Sequence, residues 1–208
     1  MYVLLSLAII GLLLVSNELL WRKKEAHTEH QRKIIHIIVG TFVAFFPLYM
    51  SWNDIRLISL AFLLVVILSK TFNIFGSIHR VERFSLGEIC FALAIGVLTF
   101  ISTSDWIYIA SILQMSLADG LAAIAGVNLG KNNSYKIFGA TKSIAGSLTC
   151  FVVSLVILII ASAAAQIHIS FGVLLFASVI ATAVENIAIY GLDNIFLPLA
   201  VAFILTRV

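Results

Sequence analysis

Residues 107–129 read IYIASILQMSLADGLAAIAGVNL, and this stretch decides the class of fold. A transmembrane helix needs about 20 mostly apolar residues, because each residue adds about 1.5 Å and the hydrocarbon core is about 30 Å thick. The stretch has the required length, and Asp119 is its single charged residue. It is therefore predicted to cross a membrane as an α-helix.

Comparable apolar runs occur along the rest of the chain. The predicted spans lie at 2–20, 34–51, 55–72, 86–102, 107–129, 144–165, 170–190 and 195–207. Two of them, 86–102 and 195–207, are short for a span. Of the 208 residues, 62% are hydrophobic and 11% charged, whereas soluble domains average about 45–50% apolar and about 25% charged residues. The sequence thus predicts an all-α fold, a polytopic membrane helix bundle of about seven to eight transmembrane helices, with residues 1–208 forming a single integral membrane domain.

The basic residues are unevenly distributed between the predicted loops. If the loop after the first span is cytosolic, 11 of the 13 lysines and arginines face the cytosol. They are Arg22, Lys23, Lys24, Arg32, Lys33, Lys70, Arg80, Arg83, Lys131, Lys136 and Lys142. The positive-inside rule then predicts an external N-terminus and a cytosolic working face, in the cytoplasmic membrane if the source is prokaryotic. The first span has no preceding basic region and no small-residue cleavage site, so it is expected to remain as an anchor.

A polar stripe runs along the predicted helix 107–129. Asp119, Ala122, Gly126 and Gly130 follow an i, i+3, i+7, i+11 spacing and therefore share one face. A carboxylate near the bilayer centre costs about 2.5–3.5 kcal/mol on insertion scales, which favours a function for Asp119. The small residues alone fit a helix-packing face equally well. Because about 16 Å of ideal helix separates Asp119 from Gly130, we expect a water-filled pocket, in preference to a broken helix, to reach Asp119 from the cytosol.

A second polar segment precedes the predicted span 144–165. Lys142 and Ser143 lie where this span begins, and Gly146 follows. The free N–H groups and positive dipole end of a helix start bind anions, and a neighbouring lysine adds a charge for phosphate. Thr141 stands directly before Lys142, so the segment is not a P-loop, which requires glycine there. A basic cytosolic loop with a serine cap explains the same residues equally well.

Further ionisable residues are expected on the cytosolic side. Lys33 and His36 share a helix face. A histidine in this position can hold a phosphate oxygen or relay a proton. Alternatively, it is an interfacial residue whose hydrogen bonds are satisfied within the protein. Four carboxylates, Glu88, Asp119, Glu185 and Asp193, are directed toward the basic residues Arg32, Lys33, Lys131 and Lys142. This mixture suits a magnesium-bound polyphosphate, since Mg²⁺ takes one or two carboxylates plus phosphates. Alternatively, Glu185 and Asp193 only pair with loop lysines.

In combination, these motifs resemble the polyprenol kinase family, which includes dolichol kinase, phytol kinase and the CTP-dependent diacylglycerol kinase of yeast. The motifs are Arg32-Lys33-x-x-His36, Gly87-Glu88, Asp119-Gly120-x-Ala122-x-x-x-Gly126-x-x-x-Gly130, Lys142-Ser143-x-Ala145-Gly146-Ser147, Glu185 and Asp193-Asn194-x-x-x-Pro198. The resemblance runs from about residue 32 to 198. The short length is closer to the phytol kinase branch. Dolichol-kinase-like proteins often carry Lys-Thr-x-Glu-Gly where this chain has Lys142-Ser143-Ile144-Ala145-Gly146.

The resemblance implies transfer of the terminal phosphoryl group of CTP, with Mg²⁺, to the hydroxyl of a membrane isoprenoid alcohol. It implies catalytic roles for Asp119, His36 and Glu88, and metal ligation by Asp119, Glu185 and Asp193. The implied nucleotide and substrate contacts are Arg32, Lys33, Gly120, Ala122, Gly126, Gly130, Lys131, Lys142, Ser143, Gly146 and Asn194. The expected partners are CTP, the lipid alcohol and the bilayer, with a homo-oligomer possible and no nucleic acid.

Other functions fit parts of the pattern. A CTP-dependent diacylglycerol kinase differs only in its acceptor. A cytidylyltransferase that forms CDP-lipids would share CTP and Mg²⁺, but its His-Gly-Gly-x-x-Asp-Arg-x-Asp signature is missing from this chain. A small transporter would explain intramembrane Asp119 and Glu185, but transporters commonly have two related halves, and none is visible in the sequence.

Overall fold

The computed structural model describes residues 1–21, 29–72 and 85–208. In these ranges the chain forms eight helices and one β-hairpin. The helices are α1 (Tyr2–Trp21), α2 (Glu29–Ala44), α3 (Trp52–Phe72), α4 (Gly87–Ile101), α5 (Asp105–Leu129), α6 (Ile144–Ala164), α7 (Phe171–Ile187) and α8 (Asp193–Leu205). A short 3-10 turn, Phe46–Leu48, follows α2. The predicted all-α polytopic bundle is confirmed, and each predicted span corresponds to one helix.

Five helices in the described ranges are long and apolar enough to cross a membrane by length and composition, namely α1, α2 with its following turn, α3, α5 and α6. Helices α4, α7 and α8 are shorter, with 15, 17 and 13 residues. Large apolar side chains cover much of the outer surface, as expected for a membrane protein. The external N-terminus stays a prediction, and Arg22, Lys23, Lys24, Arg80 and Arg83, which contributed to it, lie outside the described residues.

Helix α5 is the most buried of these five helices. Inside the bundle, 72% of its most apolar window is buried, compared with 17% for α1 and 28% for α3 and α6. One hydrophobic cluster joins α5 to the first four helices around Val43 and Ile95, and a second joins it to α6, α7 and α8 around Ala177 and Val201. The polar side chains of Ser111, Gln114, Ser116 and Asp119 in α5 are accordingly buried.

A β-hairpin connects α5 to α6 and was not predicted from the sequence. Strands β1 (Ser134–Ile137) and β2 (Ala140–Ser143) are antiparallel, with Tyr135 opposite Lys142. Phe138 and Gly139 form the turn with φ values of 46° and 80°, as two-residue hairpin turns require. Strands of four residues are too short for an alternation of polar and apolar side chains to be recognised. The sequence therefore predicts only a polar loop for this segment.

Candidate active site

A large cavity lies inside the bundle beside the hairpin, and we call it the main cavity. Its volume is about 770 Å³, and it extends from Asp119 to Lys131. Asp119 is only 2% exposed, whereas Lys131 lies on the surface. The pocket expected to connect Asp119 with the loop end of α5 is therefore present.

Most of the predicted site residues line the main cavity. They are Arg32, Lys33, Glu88, Asp119, Ala122, Gly126, Gly130, Lys131, Lys142, Ser143, Gly146, Glu185 and Asp193. The side chains come from α2, α4, α5, the hairpin, α6, α7 and α8. Packing of distant parts of the chain thus brings the motifs together at one site.

Gly120 and Asn194 lie outside the main cavity. A Cβ at Gly120 would overlap the Ile37 side chain, so this glycine allows α5 to approach α2 closely. Asn194 is buried, and its side-chain amide donates to the Gly87 carbonyl at 2.8 Å, which ties α8 to the start of α4. The structure shows packing contacts for both residues, and their predicted nucleotide contacts stay predictions.

Asp119 forms a buried ion pair with Lys33 of α2. The Lys33 Nζ to Asp119 Oδ2 distance is 2.5 Å, and the two side chains are 5% and 3% exposed. His36 lies behind this pair, outside the main cavity, with Nε2 3.8 Å from the same carboxylate oxygen. Breaking a buried pair of this kind leaves an uncompensated charge, so each partner requires the other. The intramembrane carboxylate is thus neutralised by a lysine from the Arg32-Lys33-x-x-His36 motif.

A π-helical turn, Gln114–Ala118, directly precedes Asp119 in α5. The Asp119 N–H donates to carbonyls within this turn, and the Met115 carbonyl accepts a hydrogen bond from His36 Nε2 at 2.9 Å. A π turn adds a residue to the local helical repeat and redirects the side chains that follow, and such turns are frequent at functional sites. The helix therefore continues through Asp119, and its distortion is linked to His36.

The small-residue stripe of α5 packs against the start of α6. A Cβ at Gly146 would lie 3.0 Å from the Ala122 carbonyl oxygen and 3.6 Å from the Gly126 Cα. A Cβ at Gly126 would lie 3.2 Å from Ser143 Oγ. The same residues line the main cavity. The helix-packing interpretation of the stripe is therefore confirmed, and the same small residues leave this wall of the main cavity without bulky side chains.

Gly130 provides a test of this packing. A Cβ there would overlap the Gly126 carbonyl oxygen and lie 2.6 Å from Ser143 Cβ. We expect Gly130→Ala to displace the hairpin and to lower the free energy of unfolding by about 1–3 kcal/mol, measured by thermal unfolding in detergent. Gly172→Ala is the matched control, because a Cβ at Gly172 meets nothing within 4 Å. Equal stability of the two variants would contradict the close approach.

Lys142 connects the hairpin to α7 through Glu185. Its Nζ donates to the Glu185 carbonyl oxygen and to Oε1, both at 2.5 Å. Burial by itself would lower the pKa of Lys142, but the carboxylates of Glu185, Asp193 and Asp119 together raise the pKa above its ordinary value. Lys142 is therefore a permanent cation in the wall of the main cavity. Because an ammonium has three donors, one donor is left for a ligand.

The start of α6 is only partly available to an anion. Ser143 caps the helix, with its Oγ accepting from the Gly146 N–H at 3.0 Å. The Ile144 N–H donates to the Asn133 carbonyl, also at 3.0 Å. The sequence predicted free N–H groups at the start of this helix, but the N–H groups of Ile144 and Gly146 already have partners. The serine cap that was weighed as an alternative is present.

Several residues near the main cavity were not singled out from the sequence. Tyr135 bonds to Ser147 and Asn186 through its hydroxyl, which anchors the hairpin on α6 and α7. Lys70 lies 2.8 Å from Glu88 Oε2 and donates to the Ser85 carbonyl. The sequence does not distinguish Lys70 as a site residue, because the positive-inside rule by itself explains a lysine at the end of a span.

The carboxylates of the main cavity differ in their partners. Asp119, Glu185 and Glu88 each pair with a lysine, whereas Asp193 has no salt bridge within the described part of the chain. Across residues 1–21, 29–72 and 85–208, no group of three His, Cys, Asp or Glu side chains is arranged to hold a metal ion. Mg²⁺ needs only one or two carboxylates when phosphates complete its shell. Asp193 fits that limited role.

The fold and the main cavity define a polytopic membrane protein with a mixed-charge cavity inside its helix bundle, an arrangement suited to a phosphate-bearing ligand. The chain is 32% identical to a phytol kinase of Synechocystis sp., over 96% of this chain and 88% of that protein. It is 30% identical to an uncharacterised protein of Rickettsia prowazekii, over 83% of this chain and 90% of that one. This chain belongs to the polyprenol kinase family, as its motifs implied. No protein-family model and no solved structure matches it.

Proposed function

We propose that this lipid kinase transfers the terminal phosphoryl group of CTP to the hydroxyl of a membrane isoprenoid alcohol of the phytol or polyprenol type. The acceptor class is taken from the phytol kinase relative. The observation that carries the proposal is the convergence of the family motifs on the main cavity, from Arg32 near one end of the chain to Asp193 near the other. The orientation inferred from the basic residues would open this cavity to the cytosol, where CTP is available.

The charges of the main cavity support a triphosphate as its ligand. Five basic residues line it: Arg32, Lys33, Lys70, Lys131 and Lys142. Phosphoryl transfer depends on positioning and charge stabilisation more than on covalent chemistry, and fixed cations around the main cavity supply both. The small residues Ala122, Gly126 and Gly130 would let the nucleotide approach the α5 backbone.

The reaction follows from this arrangement. The alcohol oxygen forms a bond to the γ-phosphorus, and the bond from that phosphorus to the bridging oxygen breaks, with its electron pair leaving on CDP. The proton of the hydroxyl passes to a carboxylate of the cavity. Lys33 pairs with Asp119 and orients its carboxylate, while Lys142 and Lys131 would contact phosphate oxygens. Asp193, with Asp119 or Glu185, would hold Mg²⁺, which when bound neutralises phosphate charge.

The donor is tested with purified protein in detergent. Labelled CTP or ATP is offered with phytol, farnesol, a longer polyprenol or diacylglycerol, and the products are separated. We expect phosphorylated isoprenoid alcohol and CDP from CTP, with little transfer from ATP.

Each other outcome identifies a different error in the proposal. Pyrophosphate release would identify a cytidylyltransferase, and transfer to diacylglycerol alone would change the acceptor class. Transfer from ATP but not from CTP would change the donor. No transfer to any alcohol, together with substrate flux in proteoliposomes without nucleotide, would favour the transporter.

A further inference from the structure

A second, smaller cavity lies beside the main cavity, between α2, α3 and α4, and we call it the side pocket. Its volume is about 80 Å³, roughly a tenth of that of the main cavity. Arg32 and Glu88 line both cavities, and no other residue in the described ranges does. The two cavities therefore adjoin at a charged boundary, with a cation and a carboxylate on it.

Away from this boundary the side pocket is mostly apolar, with His36, Ser69 and Asn194 as its other polar lining residues. Val39, Val66 and Phe91 form its walls, and each is less than 10% exposed. Phe62 and Phe91 make an edge-to-face contact with centroids 5.8 Å apart, and Phe91 contacts His36 in the same way at 5.0 Å. The pocket thus has one ionic end and one hydrocarbon end. A lipid alcohol would fit it with the hydroxyl at the ionic end and the carbon chain at the hydrocarbon end.

The hydrocarbon end reaches the outer surface of the bundle. Val65 of α3 lines the side pocket and is 44% exposed. Its neighbours Leu64 and Ile67 are exposed on the same apolar helix, so this surface faces the acyl chains of a membrane. Leu14 of α1, the least buried of the long helices, completes the wall. An alcohol dissolved in the bilayer can enter here without crossing water.

We propose that the side pocket receives the hydroxyl end of a branched lipid alcohol from the bilayer, and that Glu88 takes the hydroxyl proton as the oxygen bonds to the γ-phosphorus of CTP in the main cavity. CDP leaves with the electron pair of the broken phosphorus–oxygen bond. Glu88 suits this role because it is the carboxylate that lines both cavities, and Lys70 lies 2.8 Å from its Oε2 atom. The inference rests on the proposed kinase activity.

The size of the side pocket has a consequence for specificity. A volume of about 80 Å³ admits the hydroxyl and the first branched unit, while the remaining chain stays among the lipids. The enzyme should therefore recognise branching near the hydroxyl and disregard tail length. Geraniol, farnesol and geranylgeraniol, compared at equal mole fraction in micelles, should give kcat/KM values within about tenfold of one another, and straight-chain alcohols should be poorer.

Filling the side pocket is the direct test. Val66→Phe should raise KM for the alcohol about tenfold or more, because the larger side chain fills space that the hydroxyl end of the alcohol needs, with KM for CTP unchanged. Ile67→Phe, the same aromatic side chain at the adjacent lipid-facing position, should alter neither. If Val66→Phe folds poorly by thermal unfolding, Val66→Ala replaces it, with improved use of alcohols that are bulkier near the hydroxyl.

A test of Glu88 separates its role from a structural one. Glu88→Gln should lower kcat about 10²-fold, as expected for loss of a general base, and should remove the acidic limb of the pH–rate profile. Unchanged alcohol KM in Val66→Phe, a steep dependence on tail length, or an intact acidic limb in Glu88→Gln would each overturn the inference while alcohols are still phosphorylated. Absence of alcohol phosphorylation by the native protein would instead overturn the proposed function.

Discussion

Asp119→Asn should lower kcat/KM for phosphoryl transfer by about 10³-fold or more, because a carboxylate that stabilises or accepts charge in the transition state contributes on that scale. It should also destabilise the bundle by about 3–5 kcal/mol, since Lys33 is left buried without its counter-charge. Initial rates with CTP and an isoprenoid alcohol measure the first effect. Thermal unfolding in detergent measures the second.

A double variant distinguishes catalysis from folding at this pair. Replacing a buried ion pair by apolar residues of similar size is often neutral for stability. Lys33→Met/Asp119→Leu should therefore unfold close to the native temperature and yet remain inactive. If the double variant recovered activity along with stability, the pair would be a structural element only, and the catalytic role of Asp119 would be lost.

Lys142→Met should lower kcat/KM by about 10²–10³-fold, the usual cost of removing a preorganised charge at a transition state. The hairpin presents this lysine to the main cavity, and Glu185 raises its pKa, so the positive charge persists throughout the working pH range. Binding of labelled CTP by the purified protein should weaken in parallel. Rates are compared between native and variant protein in the same detergent.

Lys136→Met is the matched control for this prediction. Lys136 is on the same hairpin, pairs with Thr141 in the register, and does not line the main cavity. The same change of side chain should there leave kcat/KM within about twofold, as for an exposed charge of small energetic value. Equal losses in both variants would show that net charge on the hairpin, and not the position of Lys142, accounts for the effect.

The secondary structure of the bundle could be predicted because its signal is local. An apolar run longer than the hydrocarbon core has few alternatives to a helix, so the spans at 2–20 and 144–165 differ from α1 and α6 by one residue at an end. Helix α2 begins earlier than its predicted span because polar residues such as Gln31 extend the helix beyond the apolar run. The hairpin at Ser134–Ser143 was missed, because its strands are too short to show a period.

The members of the site could be predicted, but their contacts could not. Motif residues stood out as charged or small side chains in apolar surroundings, and each charged side chain there has an energetic cost that a partner must offset. Which partner each one has depends on packing between residues far apart in the chain. Lys33 and Asp119 are 86 positions apart, and Lys142 and Glu185 are 43 apart.

By itself, the sequence determined that this chain is a membrane protein of helices with Asp119 inside one of them, since hydrophobic length and the cost of a charge in hydrocarbon are local properties. Only the tertiary structure decided that Lys33 pairs with that carboxylate, that Gly120 and Asn194 contact other helices, and that a side pocket meets the main cavity at Glu88. Such outcomes depend on how helices approach one another, because distances between side chains are set by the whole packed bundle and by no single stretch of it.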